Sequence, residues 1–219
     1  MEKMMNALKA IKTKYEKNET AVIIKNDGTT ATFVVDMIND FNYTSLMANP
    51  LAVKLIKPLS CFLCAFTNGG KKSDNLIHLN EGHTAESLEF HEYPEHGVLG
   101  TDGAKLVSGI IEFPCERIIY KNSTNGFHVD AVKEWLLSHP NIKRIVVCGV
   151  LSDICVMQFV LAIKTYCNQI NREMEVIVPE HLVESYEAEE HNRDLFYYMS
   201  LEIMAQAGCI IANEVKVEN

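Results

Sequence analysis

A chain of 219 residues, 47% of them apolar, is long enough for one domain with a sizeable core. No apolar stretch reaches the ~20 residues that a membrane-crossing helix needs, and a net charge of −9 offers no electrostatic attraction to nucleic acid or to an anionic membrane. Seven cysteines, an odd number at scattered spacings with no signal-peptide pattern, are expected to stay reduced in a cytoplasmic protein.

Met4, Leu8, Ile11 and Tyr15 recur at helical spacing, so 2–17 reads as an amphipathic helix whose stripe covers the core or an interface. AVIIKNDGTTATFVVDM (21–37) reads as two β-rich runs around an Asn-Asp-Gly turn, a hairpin signal. A helix is expected over about 50–67, ending before Asn68-Gly69-Gly70. It holds Cys61 and Cys64, the one CxxC, which without a second such pair reads as core cysteines, with a redox or metal role as the alternative. Short strands follow at 75–79 and 117–120, then a helix over 130–139 stopped by Pro140. KRIVVCGV (143–150) is near-continuous and β-branched, the pattern of a strand buried on both faces. A helix over 153–171, a strand at 175–179, a helix over 189–208 and a strand at 209–212 complete the chain. Strands alternating with helices of this length predict an α/β fold: a parallel, Rossmann-like sheet of about six strands with helices on both faces. Residues 1–30 are expected to form a helical and hairpin extension of a domain over 31–219.

In such sheets ligands bind beyond the carboxyl ends of the strands. Three strand ends carry a reactive side chain: Asp36 after ATFVV, Lys121 after RIIY, and Cys155 just past IVVCGV. Ser152 is a candidate N-cap, which would set Cys155 at the third helical position, where the dipole and free N–H groups favour a thiolate and an oxyanion. An aspartate could take the thiol proton, and a lysine could hold both. Cys155 reads equally well as a residue packed under the sheet, Asp36 as either a turn cap or a site residue, and Lys121, taken alone, as the usual solvated strand end. Asp40 reads as a local hydrogen-bonding residue of its loop. Between 78 and 101 lies HLNEGHTAESLEFHEYPEHGVLGT, where Glu81 and His83 face one way from an extended chain and Glu89 and His96 follow. Two histidines and two carboxylates could hold zinc, iron or manganese; a polar loop with chance histidines is the competing reading. His78 lies in the strand and His91 out of register.

FVVDMINDF (33–41), YPEHGVLGTDGAKL (93–106), YKNSTNGF (120–127) and GVLSDICV (149–156) together resemble, in order and spacing, the four motifs of the isochorismatase-like cysteine hydrolases. The resemblance covers about 31–212 and is nearest to the nicotinamidase/pyrazinamidase branch. It implies a triad of Asp36 as base, Lys121 as stabiliser and Cys155 as nucleophile. It also implies a cis peptide between Val150 and Leu151, with the N–H groups of Leu151 and Cys155 turned toward an oxyanion. For the branch, it implies one divalent metal on Glu81, His83, Glu89 and His96, zinc before iron or manganese, with Glu81 where aspartate is usual. It implies an aromatic slot of Phe41 and Tyr93, with Phe127 lining the pocket. The expected activity is hydrolysis of nicotinamide to nicotinate and ammonia through a cysteine thioester, in the cytoplasm, by a homodimer or tetramer. The alternatives are another small amide, carbamoyl or vinyl ether substrate, or a non-catalytic scaffold that keeps the fold.

Overall fold

The computed structural model describes residues 2–25 and 27–218. Helix α1 (Glu2–Glu16) precedes strand β1 (Ala21–Lys25). Then come β2 (Thr30–Val35), α2 (Pro50–Phe66), β3 (Ser73–Glu81), β4 (Cys115–Lys121), α3 (Asp130–Ser138), β5 (Arg144–Val150) and α4 (Cys155–Gln169). The chain closes with β6 (Glu175–Pro179), β7 (Val183–Glu184), α5 (Arg193–Gln206), β8 (Ile210–Ala212) and β9 (Glu214–Glu218).

The main sheet runs β4-β3-β2-β5-β6-β8, with the short β7 beside the end of β5, and every pairing in it is parallel. Strand order reverses between β2 and β5, so their carboxyl ends flank the crevice where such folds bind ligands. Side chains alternate across the sheet and build two cores. Phe33, Val35, Ile77, Leu79 and Val147 meet Trp135, Phe159 and Leu201 of α3, α4 and α5 on one face. Val34, Leu76, Val146 and Cys148 meet Leu55, Leu59 and Leu63 of α2 on the other. The expected parallel α/β sheet with helices on both faces is therefore the observed one.

The hairpin expected at 21–37 is not formed. Strand β2 is buried along its whole length, and both its edges are taken, by β3 and β5. No edge remains for β1, which instead pairs in parallel with β9 in a separate two-stranded sheet. The proposed turn includes Asn26, which lies outside the described residues. Strand β9 follows β8 after a single residue and has no counterpart in the expected elements.

Helix α2 buries Leu55, Leu59, Phe62, Leu63 and Phe66, a stripe at helical spacing. Cys61 and Cys64 fall on the other side and are exposed, so they are not core cysteines. The apolar run hid the period, because one helix face carries most of its burial. Helix α5 starts at Arg193 rather than 189, because Ala188 and His191 close a bridge and Asn192 caps the helix by accepting the Leu195 N–H. Helix α1 lies on α5: Lys12 pairs with Asp194 at 2.6 Å, and the Tyr15 hydroxyl donates to Glu202 at 2.9 Å. Its stripe joins the core at Tyr15 and Ile11. The side chain of Met4 lies outside the described residues.

His78 is fully buried in β3, and burial pushes its imidazole down to about 4. Between that value and about 6.5, the unfolded chain binds the proton that the folded chain refuses, so this group lowers stability as pH falls through that window. A shift of that size corresponds to about 3 kcal/mol of stability lost from pH 7 to pH 4. Urea melts of wild type and His78→Gln across this range should show a shallower acid decline in the variant; parallel curves would remove His78 from the account.

Candidate active site

Four adjacent strands deliver four charged or nucleophilic groups to one end of the sheet. Asp36 follows β2, Glu81 and Lys121 are the last residues of β3 and β4, and Cys155 opens α4 after β5. Asp36 has φ +54°, a conformation uncommon for a residue with a side chain and often found at functional sites. Its backbone N–H donates to Leu79, and its Oδ1 accepts the Glu81 N–H at 2.7 Å. The lysine ammonium sits 2.9 Å from Asp36 Oδ2, 2.8 Å from Glu81 Oε1 and 3.6 Å from Cys155 Sγ. All four side chains are almost wholly buried.

Burial in this cluster works on each group, and the neighbouring charges decide the outcome. Burial lifts Asp36 to about 6, against the pull of Lys121. Burial opposes the charge on Lys121, yet Asp36, Cys155 and Glu81 raise it above its ordinary value. Burial opposes the charge on Glu81 too, but Lys121 and the two histidines hold it well below the usual carboxylate range. Cys155 is pushed well up, first by burial and then by Asp36 and Glu81. The resting sulfur is thus a thiol. The helix-start thiolate expected from the sequence is not the resting form, because burial, with Asp36 and Glu81 beside the sulfur, opposes the charge that Lys121 favours. Nor is Cys155 the third helical residue. Residues 151–154 form a turn, the Ser152 N–H is bound to Glu184 O, and Ile154 is the non-helical residue ahead of Cys155.

Glu81 joins this cluster to a second one. Its Oε2 lies 2.9 Å from His83 Nε2 and 2.5 Å from His96 Nε2. His96 Nδ1 donates to Pro94 O at 2.6 Å, and His83 Nδ1 sits 3.0 Å from Asn122 Oδ1, so each ring turns its Nε2 inward. Burial lowers His96, but Glu81 prevails and raises it. Glu89 completes the group: one ligand atom from each of Glu81, His83, Glu89 and His96 lies within 4.8 Å of the others. Glu89 Oε1 is buried without a hydrogen-bond partner. Two inward imidazole nitrogens, a carboxylate between them and an unpartnered buried oxygen fit a divalent cation with mixed nitrogen and oxygen ligands.

Two cavities abut at this end of the sheet. The inner one, about 20 Å³, touches Cys155, Glu81, Glu89, His96 and Thr124. The outer one, about 340 Å³, opens beyond it between Leu46, Tyr186 and Ala188. Phe41, Met47, Tyr93, Leu151 and Ile154 line both. The peptide between Val150 and Leu151 is cis.

Residues 30–211 match the family model described as the Isochorismatase domain. The chain belongs to the isochorismatase family. It is 27% identical over 128 residues to the uncharacterized isochorismatase family protein YddQ of Bacillus subtilis, covering 58% of this chain and 66% of that protein. It is 24% identical over 233 aligned positions to Nicotinamidase 1 of Arabidopsis thaliana, covering 91% of this chain and 92% of the relative. The pyrazinamidase of Pyrococcus horikoshii, solved in complex with zinc, shares the fold with a TM-score of 0.62 at 22% identity, over 87% of this chain and 99% of its own.

Within this isochorismatase-family hydrolase fold, Asp36, Lys121 and Cys155 meet one another, Glu81, His83, Glu89 and His96 meet one another, and Phe41 and Tyr93 line both cavities. Phe127 does not join them. It packs in the core against Tyr166, with ring centroids 5.1 Å apart, because the 126–128 turn directs it under the sheet. Thr124, three residues earlier, reaches the inner cavity instead. Asp40 is more than a local residue of its loop: its Oδ2 accepts the Gly97 N–H at 2.8 Å and so fixes the segment that carries His96. Met47 and Ile154 had no sequence signal beyond their apolarity.

Proposed function

We propose that this protein is an amidohydrolase of nicotinamidase type, converting nicotinamide and water to nicotinate and ammonia. The observation that carries the reading is the meeting of Asp36, Lys121 and Cys155 beside Glu81, His83 and His96 at one cavity. Relatedness to Nicotinamidase 1 over most of both chains supports it.

As the carboxamide enters, the Cys155 proton passes to Asp36 and Sγ attacks the carbonyl carbon. An ionised Asp36, held by Lys121, is poised to take that proton at neutral pH, since its carboxyl titrates at about 6. The developing oxyanion faces the N–H groups of Leu151 and Cys155 at the start of α4. Asp36 returns the proton to the departing nitrogen, ammonia leaves, and a thioester remains on Cys155. Water, deprotonated by Asp36, then adds to the thioester carbonyl; the C–S bond breaks, the acid leaves, and the proton on Asp36 returns to the sulfur. Lys121 stays charged throughout and offsets the negative charge that moves between Asp36 and the sulfur.

Glu81, His83, Glu89 and His96 would hold the cation. When bound, it would supply a Lewis-acid position beside the cavity that suits a ring nitrogen. Purified protein is expected to contain about one zinc, iron or manganese ion per chain. Glu81→Ala or His96→Ala should lower that content to near zero in elemental analysis; unchanged content would move the ion elsewhere.

The linings of the two cavities contain no lysine or arginine among the described residues. A carboxylate that a substrate placed in the outer cavity would lose its hydration without a counter-ion. Product analysis with nicotinamide, a carboxylated vinyl ether and an N-carbamoyl amino acid is therefore expected to show turnover of nicotinamide alone. Turnover of either anion in preference to nicotinamide would refute the reading.

A further inference from the structure

The inner cavity beside Cys155, at about 20 Å³, has room for little more than a carboxamide. The ring that bears the carbonyl must lie where the two cavities meet, against Phe41, Met47, Tyr93, Leu151 and Ile154 and within reach of the cation site, and its substituents extend into the outer chamber. That chamber, at about 340 Å³, reaches the size range of pockets that bury drug-sized ligands, about 300–1,000 Å³. A single pyridine ring leaves much of it unfilled. Its wall is aromatic and aliphatic: Leu46, Met47, Pro94 and Tyr186 stand opposite Phe41 and Tyr93. The one acidic side chain there, Glu187, already accepts the Arg193 N–H at 2.7 Å. Arg193 itself is held by Glu184 and Asp194, so neither group is free to receive a charged substituent.

We propose that the outer chamber is a second subsite that takes an uncharged apolar or aromatic substituent, and that the substrate class is primary aromatic carboxamides larger than nicotinamide. The proposal rests on the amidase reading above and adds to it the size and polarity of what the enzyme accepts. A phenyl-sized group seated among these side chains leaves water on binding and gains contacts with flat aromatic walls. A carboxylate of similar size loses hydration without an ion-pair partner.

The test compares ammonia release from nicotinamide, from nicotinamides bearing a phenyl group at ring position 4, 5 or 6, and from the matching carboxy-substituted amides. At least one phenyl isomer is expected to exceed nicotinamide about tenfold or more in kcat/KM, and the carboxy isomers to fall below it. Ala188→Trp, placed on the exposed rim of the chamber and away from Cys155, should abolish the phenyl advantage while leaving nicotinamide turnover within about twofold. Leu46→Trp, at another exposed rim position, serves the same purpose if the first variant melts early. Turnover of a phenyl isomer without turnover of nicotinamide would also support the subsite and move the parent substrate. Turnover of nicotinamide with no gain from any phenyl isomer, or equal losses on both amides in the rim variants, would overturn the subsite alone. Absence of ammonia from every amide would overturn the amidase reading and the subsite together.

Discussion

Cys155→Ala is expected to leave a folded chain with no measurable ammonia release from nicotinamide, a loss of at least about 10⁴-fold. The fold should survive because the polar contacts of the sulfur to Lys121 and Glu81 are long, 3.6 Å each. Lys121 keeps both its carboxylate partners at 2.9 and 2.8 Å without it. Removing one buried sulfur atom costs about 1 kcal/mol, and it also removes a group whose ionisation burial opposes. Activity should vanish because, among the described residues, the hydrogen bonds and ion pairs of Asp36 and Lys121 reach no other thiol or hydroxyl. Parallel thermal melts and ammonia assays check both halves. Retained turnover would remove the nucleophile from the account, and an unfolded variant would give the sulfur a structural role that its contacts do not support.

The second large effect is structural. Gly149→Ala is expected to destabilise the chain by about 4 kcal/mol or more, enough to lower the melting temperature by roughly 8–16 °C or to prevent soluble expression. Gly149 lies at φ +112°, a region that side chains rarely adopt, and a Cβ there would stand 2.0 Å from Val35 O. Val35 is its register partner on β2, and both strands are buried on both faces, so neither backbone can give way. The clash lies at the point where β2 and β5 deliver Asp36 and Cys155. A melt within about 2 °C of wild type would mean that the two strand ends can separate without cost. Soluble Gly149→Ala with lost activity but a normal melt would locate the strain in the site rather than in the fold.

The sheet was legible because burial of both faces writes near-continuous apolar strands between amphipathic helices. KRIVVCGV and ATFVV show this directly, and their order along the chain set the parallel arrangement. Pairing of β1 was not legible. An Asn-Asp-Gly sequence favours a hairpin locally, but β2 had already lost both edges to partners about 40 and 110 residues away. Long-range competition of that kind leaves no mark on the turn. The exposure of Cys61 and Cys64 is not legible for a related reason: a helix whose apolar run is nearly unbroken conceals which third of its surface faces the sheet.

In the site, residue types at strand ends pointed to Asp36, Lys121 and Cys155, since topology gathers strand ends whatever their separation in sequence. The double position of Glu81 was not legible. Reaching Lys121 with one carboxylate oxygen and two imidazoles with the other depends on a side chain one methylene longer than aspartate and on the register that sets Glu81 beside Lys121. The protonation of the thiol also escaped the sequence. A helix start predicts a thiolate, whereas the burial that raises the thiol first, and the two carboxylates beside Sγ from strands 74 and 119 residues upstream, are set by tertiary packing. The place of Phe127 is not legible either, because a short turn capped by Asn125 decides between cavity and core and sets the ring inward.

The central claim is that the carbonyl of a small amide is transferred to Cys155 before water receives it. The measurement that tests this most directly is partitioning of the acyl group between water and added hydroxylamine during turnover of nicotinamide. Nicotinohydroxamate should appear at the expense of nicotinate while ammonia is still released, and neither product should form with Cys155→Ala. Steady ammonia release with nicotinate as the sole product at every hydroxylamine concentration would contradict the thioester and with it the role assigned to Cys155.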